Sequence, residues 1–222
     1  MSRAGIIALA AIPALLVSQW LIWVYAPMEL TMGPVQKIFY THLPLAWWAM
    51  FSFFLVFGAS GLYLLRGREE YDLLAGAAAE LGVLFASLAL ATGSIWGRAA
   101  WNVWWTWDPR LTTTLIMWFI YAAYLVLRSA PMGGERRAMA SAVLGIVGFL
   151  NVPLVFYSAR MWRSIHPAVI GRDGGMEPEM WHAALANLLA VGLLWLALLL
   201  LRHGQLKAAR RVEGLATVRQ WD

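Results

Sequence analysis

Cysteine is absent from this chain. That excludes disulfides, thiolate metal sites and the Cys-x-x-Cys-His attachment of a covalent haem, so any redox cofactor must be held by histidine or methionine. Charge is scarce as well. Only 13% of the 222 residues are Asp, Glu, Lys or Arg, while 61% are hydrophobic; a soluble domain carries about 25% charged residues. The net charge of +5 comes with no basic patch interleaved with a nucleic-acid motif, which argues against a nucleic-acid partner. Internal repeats, low-complexity stretches and a linker to a second domain are also missing.

What the sequence has instead is long, nearly charge-free runs at 5–26, 42–65, 73–95, 111–128, 138–158 and 181–202. Each is close to the roughly 20 residues that cross a bilayer as a helix, and lipid leaves backbone groups no partner outside a helix. The expected fold is an all-α integral membrane protein, a six-transmembrane-helix bundle forming a single membrane domain over residues 1–222. Arg3 precedes an apolar stretch that runs to Tyr25 without a small-x-small cleavage site, so the first run is expected to be a retained span. Eleven Lys and Arg residues fall on the side of the termini and six on the other, Lys37, Arg98, Arg110, Arg160, Arg163 and Arg172. The positive-inside rule then predicts cytoplasmic termini. Segments 27–41, 96–110 and 159–180 face outward.

The unusual residues gather on that outer side. Of four histidines, His42 opens the second span, His166 lies in the third outer segment and His182 opens the sixth span. His203 sits at the inner end of the last span and reads as a helix-end cation. A single histidine at a span end is ordinarily an interfacial polar residue. Two beside an aromatic cluster point toward ligation, since neutral imidazole is the commonest protein metal ligand. Zinc prefers ligands at short spacing, whereas His42 and His166 are 124 residues apart with no thiolate or paired carboxylate nearby. An axial pair on opposite faces of a planar macrocycle suits two ligands from distant segments.

Residues 96–110 read WGRAAWNVWWTWDPR, with five tryptophans in twelve positions. At 100° per residue Trp101, Trp104, Trp105 and Asp108 share a helix face and Trp107 points away. An aromatic belt at the headgroup level accounts for scattered Trp20, Trp23, Trp47 and Trp48; it accounts less well for this cluster, which suits a porphyrin platform. Asp108 followed by Pro109 reads as the N-cap of the fourth span. Arg98 and Arg110 could pair with haem propionates or equally with lipid phosphates. Glu80 is ionisable inside a span and either is paired or reaches the inner interface. Asn151 and Pro153 interrupt span five and predict a kink. Gly82, Ala86, Ala89 and Gly93 give span three a small-residue face for close packing.

The stretch TGSIWGRAAWNVWWTWDPRLT resembles the WWD signature of haem-handling proteins of cytochrome c maturation. With FYTHLP before span two and MWRSIHP after span five, the six-span chain is similar to the CcmC family of the system I pathway over about residues 35–200. The larger WWD relatives, CcmF and CcsA, have extra spans and histidines. The resemblance implies haem b held without covalent attachment at the periplasmic face of the bacterial inner membrane. His42 and His166 would be its axial ligands, and Trp96, Gly97, Trp101, Trp104, Trp105, Trp107, Asp108 and Arg110 its platform. It further implies delivery of haem to the periplasmic chaperone CcmE, beside the ABC-type proteins CcmA and CcmB and the small protein CcmD, without catalytic turnover. Asn102 stands where the motif often has glycine, and Pro167 follows His166 where glutamine is common. A rival reading is the b-type cytochrome subunit of a quinol oxidoreductase, which usually buries histidine pairs within its spans. Another is a transporter, for which the broken half-helices are missing.

Overall fold

In a computed structural model, residues 2–162, 164, 166 and 176–219 are described. Arg163, Pro167 and Arg172, which enter the charge balance and the departures around His166, lie outside the described residues. The chain folds as α1 (Arg3–Trp20), α2 (Ile38–Arg66), α3 (Glu69–Trp101), α4 (Pro109–Ser129), α5 (Gly134–Phe149), α6 (Asn151–Met161) and α7 (Pro178–Arg219). A π-helical turn over Leu21–Tyr25 prolongs α1, and a 3-10 turn over Pro34–Lys37 leads into α2. The described residues contain no β-strand, only an isolated bridge between Glu29 and Gly33.

Six crossings are long and apolar enough to span a membrane: Arg3–Tyr25, Pro34–Arg66, Glu69–Trp101, Pro109–Ser129, Gly134–Met161 and Pro178–Leu215. They match the expected spans in number and order, with most helices longer at their ends. The fifth crossing is broken at Leu150 between α5 and α6. Proline 153 cannot donate to the carbonyl of Phe149, and Asn151 Nδ2 turns outward to Thr113 O on α4 at 2.9 Å. His203 is not at a helix end, because α7 continues to Arg219; the helix-end reading of His203 fails for that reason.

Helix α3 is the core of the bundle. Its Ala75, Ala77, Ala78, Ala79, Ala86 and Ala89 are buried, and it packs most extensively against α2. The Phe53 ring of α2 lies directly on Gly82, where no Cβ would fit. Carboxylates on α3 tie it to two other helices. Asp72 takes both guanidinium nitrogens of Arg128 on α4 at 2.5 and 3.0 Å. Glu80, instead of reaching the interface alone, takes Arg202 on α7 at 2.5 and 3.0 Å. Trp48 is likewise no belt residue: its Nε1 donates to Leu188 O at 3.0 Å, and its ring stacks on Trp195 at 4.9 Å. Trp20, Trp23 and Trp47 are exposed, as a belt requires.

The N-terminal end of α2 is fixed by backbone accounting. Pro44 lacks the N–H that would bond the carbonyl of Tyr40 four residues earlier. Asn187 on α7 supplies the donor, Nδ2 to Tyr40 O at 2.6 Å, while its Oδ1 accepts the Ser18 hydroxyl of α1 at 2.9 Å. Just outside, buried Lys37 donates to Ile22 O at 2.6 Å, a carbonyl left open where the π-helical turn ends. Three helices are thereby joined a half-turn from His42.

Asn187→Leu should destabilise the bundle by about 1–3 kcal/mol, the cost of leaving buried polar groups unpaired. Unfolding in mixed micelles measures this. Adding Pro44→Ala, which returns an N–H to Tyr40 O, should recover part of the loss.

Candidate functional site

His42 lies one turn inside α2, against α3. Gly93 faces its ring: a Cβ there would lie 3.0 Å from His42 Cε1. His42 Nδ1 is 3.1 Å from Thr92 Oγ1, and the Thr92 hydroxyl itself donates to Leu88 O at 2.8 Å. With its proton engaged, Thr92 accepts from Nδ1–H. The tautomer follows from this network and leaves the Nε2 lone pair open.

His166 arrives from the segment after α6. Asp108 caps α4 as expected, accepting Arg110 N–H at 2.9 Å, and the same Oδ1 accepts the Ser164 hydroxyl at 2.9 Å. Ser164 Oγ in turn accepts His166 N–H at 3.0 Å. The capping carboxylate of the tryptophan-rich segment is therefore also the tether of the second histidine. Burial pushes the His166 imidazole down to about 4, with Arg110 and His42 acting in the same direction and Asp108 opposing. At neutral pH the ring is uncharged and its lone pair is available.

The two imidazoles meet with centroids 6.2 Å apart and planes at 49°. Trp96 makes T-shaped contacts with both, at 5.9 and 6.5 Å. Two rings bound to one metal at about 2 Å per bond have centroids roughly 6 Å apart, so the spacing suits an axial pair. Among the described residues no group of three or more His, Cys, Asp or Glu forms a metal cage.

Around the pair is a cleft between the N-terminal ends of α2 and α4 and the C-terminal ends of α3 and α6. Its walls include Trp96, Gly97, Trp101, Trp104, Trp105, Asp108 and Arg110. The segment that carries the tryptophans is not the helix assumed from 100° spacing. Helix α3 stops at Trp101, with Asn102 left-handed at φ 60°, and the chain folds back over the helix end. Ser94 Oγ donates to Trp104 O at 2.7 Å, and a Cβ at Gly97 would lie 3.1 Å from Val103 O. Trp101, Trp104, Trp105 and Asp108 still reach the cleft, and Trp107, 75% exposed, does not. Asparagine tolerates the left-handed turn nearly as glycine does, so the departure at Asn102 leaves the fold of the segment intact.

Arg98 also stays outside the cleft; it bonds Asn102 and lies over the Trp104 ring at 6.0 Å. Arg110 lines it, with Nη2 on Phe156 O at 3.2 Å. His182 is elsewhere, with Nδ1 3.1 Å from Tyr25 Oη. Two cleft residues hold buried polar atoms without a hydrogen-bond partner among the described residues, Trp96 Nε1 and Thr106 Oγ1. Two facing imidazoles, aromatic walls, a guanidinium and two unmet polar atoms form a donor set suited to haem. Thr92, Gly93, Thr106 and Ser164 were not found from sequence, because small and hydroxyl residues carry no motif; Gly93 had been noticed only for packing.

A profile of the CcmC family, described as heme exporter protein C, matches residues 2–218. Among curated proteins, Heme exporter protein C of Bradyrhizobium diazoefficiens is 40% identical over 68% of this chain and 57% of its own length. The Rhodobacter capsulatus protein of the same name is 32% identical over 88% of this chain and 83% of its own. That of Escherichia coli K12 is 31% identical over 70% of this chain and 64% of its own.

Asp108→Ala should cost about 1 kcal/mol from the lost cap and also free Ser164, whereas Asp108→Asn keeps an acceptor oxygen and should stay within a few tenths. Thermal unfolding of the purified protein in detergent distinguishes the two.

Proposed function

The chain belongs to the heme exporter protein C family, and from that premise we propose that it holds haem b non-covalently at its outer cleft and passes it to the chaperone CcmE. It is a multi-pass membrane protein of haem handling in cytochrome c maturation. The finer reading is carried by one observation: two histidines from distant parts of the chain face each other at 6.2 Å within a tryptophan-walled cleft.

In this reading His42 and His166 are the axial ligands, and haem is cargo. Trp96, Trp101, Trp104 and Trp105, with the backbone at Gly97, shape the walls. Arg110 is the propionate partner in the cleft; Arg98 acts at one remove by bracing Trp104, and Trp107 borders the site from outside. Asp108 orders the edge by capping α4 and holding Ser164. Both axial positions are filled, so oxygen is kept from the iron and the protein does no chemistry of its own. The cleft faces the periplasm, the termini are in the cytoplasm of a bacterium, and the whole chain acts as one unit in the inner membrane. CcmA, CcmB and CcmD are its companions there.

Absorption spectra of the haem-loaded protein in detergent test the ligands. His42→Ala and His166→Ala should each lose the low-spin bis-histidine spectrum and retain less haem, while His182→Ala and His203→Ala should match the parent. Unchanged spectra in both of the first two variants would overturn the assignment. Replacing Trp104 and Trp105 together by leucine should lower the haem-to-protein ratio with membrane insertion intact. For orientation, a cysteine at Asn102 should react with an impermeant reagent outside intact cells, and one at Gly134 should not.

A further inference from the structure

The rim of the cleft is more cationic than the tryptophan-rich segment alone makes it. Its charged lining is Arg110, Arg160 and Asp108, two guanidiniums against one carboxylate. Arg160 comes from a different part of the chain, the last turn of α6. Phe156 and Arg160 are four residues apart on that helix and so share a face, and Phe156 is where the two arginines converge. Arg110 Nη2 donates to its carbonyl at 3.2 Å. The Arg160 guanidinium lies over its ring, 5.6 Å from the centroid. Arg110 belongs to the first turn of α4, so the pair joins two helices at the rim, close enough for the charges to repel one another. Five ion pairs form among the described residues, and neither arginine takes part in one.

Holding like charges together beside an apolar cleft costs free energy, and an anion bound between them offsets that cost. Both side chains also suit a planar anion, because the arginine fork meets a carboxylate through two parallel N–H bonds. We infer that Arg160 is a second anion-binding residue of the cleft, which together with Arg110 takes the two carboxylates of one planar macrocycle, one on each guanidinium. This deepens the haem reading above and rests on it. Haem carries two propionates on one edge, and Arg110 alone accounts for one of them. The rest of the macrocycle is apolar and lies against the tryptophans, so the cleft selects its ligand by a charged edge as well as by area. No covalent bond is made or broken in this recognition.

The test uses the full chain in detergent and three ligands: haemin, its monomethyl ester and its dimethyl ester, titrated by absorption. Each variant is compared with the parent for the same ligand, which cancels partition into micelles. Arg160→Gln should weaken haemin about tenfold, the effect of one charge-assisted contact, and should leave the dimethyl ester unchanged. The monomethyl ester should lose much less than haemin, because Arg110 still takes its single carboxylate. Arg160→Lys, which keeps the charge without the fork, should fall between the parent and Arg160→Gln. In the parent, haemin should slow phenylglyoxal modification of Arg160 more than the dimethyl ester does, read by mass spectrometry. A parent that binds none of the three ligands defeats the haem reading, and this inference with it. If the parent binds haemin and Arg160→Gln binds it equally well, Arg160 serves only lipid phosphate or the end of α6, and the second site is overturned. Equal losses for haemin and the dimethyl ester overturn it too, since a change in the shape of the cleft then explains the effect.

Discussion

The close approach of α2 to α3 is the constraint on which the rest of the structure depends. Helices in lipid gain little from hydrophobic burial against one another, so association relies on packing and on interhelical polar contacts. The small face of α3 supplies the packing. Phe53 lies on Gly82 and the His42 ring on Gly93, with Ala86 and Ala89 buried between them. A larger residue at Gly93 would push the His42 ring away from the Thr92 hydroxyl. The same stripe that joins two spans in the membrane thus sets the direction of an imidazole at its C-terminal end.

The polar residues within the spans follow from a single rule, that no backbone or charged group can be left without a partner in hydrocarbon. Asn187 answers the carbonyl released by Pro44, Lys37 answers the end of the π-helical turn, and Asp72 and Glu80 are matched by Arg128 and Arg202. Among the described residues, eight buried side-chain polar atoms are without a hydrogen-bond partner. Trp96 Nε1 and Thr106 Oγ1 are in the same cleft as the two facing imidazoles. A bound group in the cleft would be placed to supply those two with partners.

Much of this was legible in the sequence where the signal is local or periodic. The six crossings follow from apolar run length, the α4 cap from Asp108-Pro109, the break at Leu150 from Asn151 and Pro153, and the packing face of α3 from Gly82 to Gly93. Features that depend on tertiary partners were not legible. Glu80 could be read as a residue reaching the interface because Arg202 is 122 positions away. Trp48 resembled a belt residue until Leu188 and Trp195 were placed beside it. The tryptophan segment was given a helical period, yet a single left-handed residue, Asn102, ends that helix. Trp107 was nonetheless placed on the far side, by spacing that does not apply to the observed backbone. The link from Asp108 through Ser164 to His166 spans two segments, and hydroxyl residues give no pattern from which to infer it.

A site that both holds and surrenders a large cofactor faces opposing demands. Coordination is directional and strong, and a ligand built into a helix core exchanges slowly. Aromatic walls act differently, because their contribution grows with apolar area covered and tolerates small displacements. If the cleft holds haem, these roles are separated among chain segments. The rigid α2–α3 pair carries one imidazole, the folded-back tryptophan segment supplies area, and the second imidazole comes from between α6 and α7. If the walls retain the macrocycle while one axial bond is exchanged, haem need never be free in water. Trp104 at the cleft's edge is 60% exposed, and if haem is the cargo that side would be open to an acceptor.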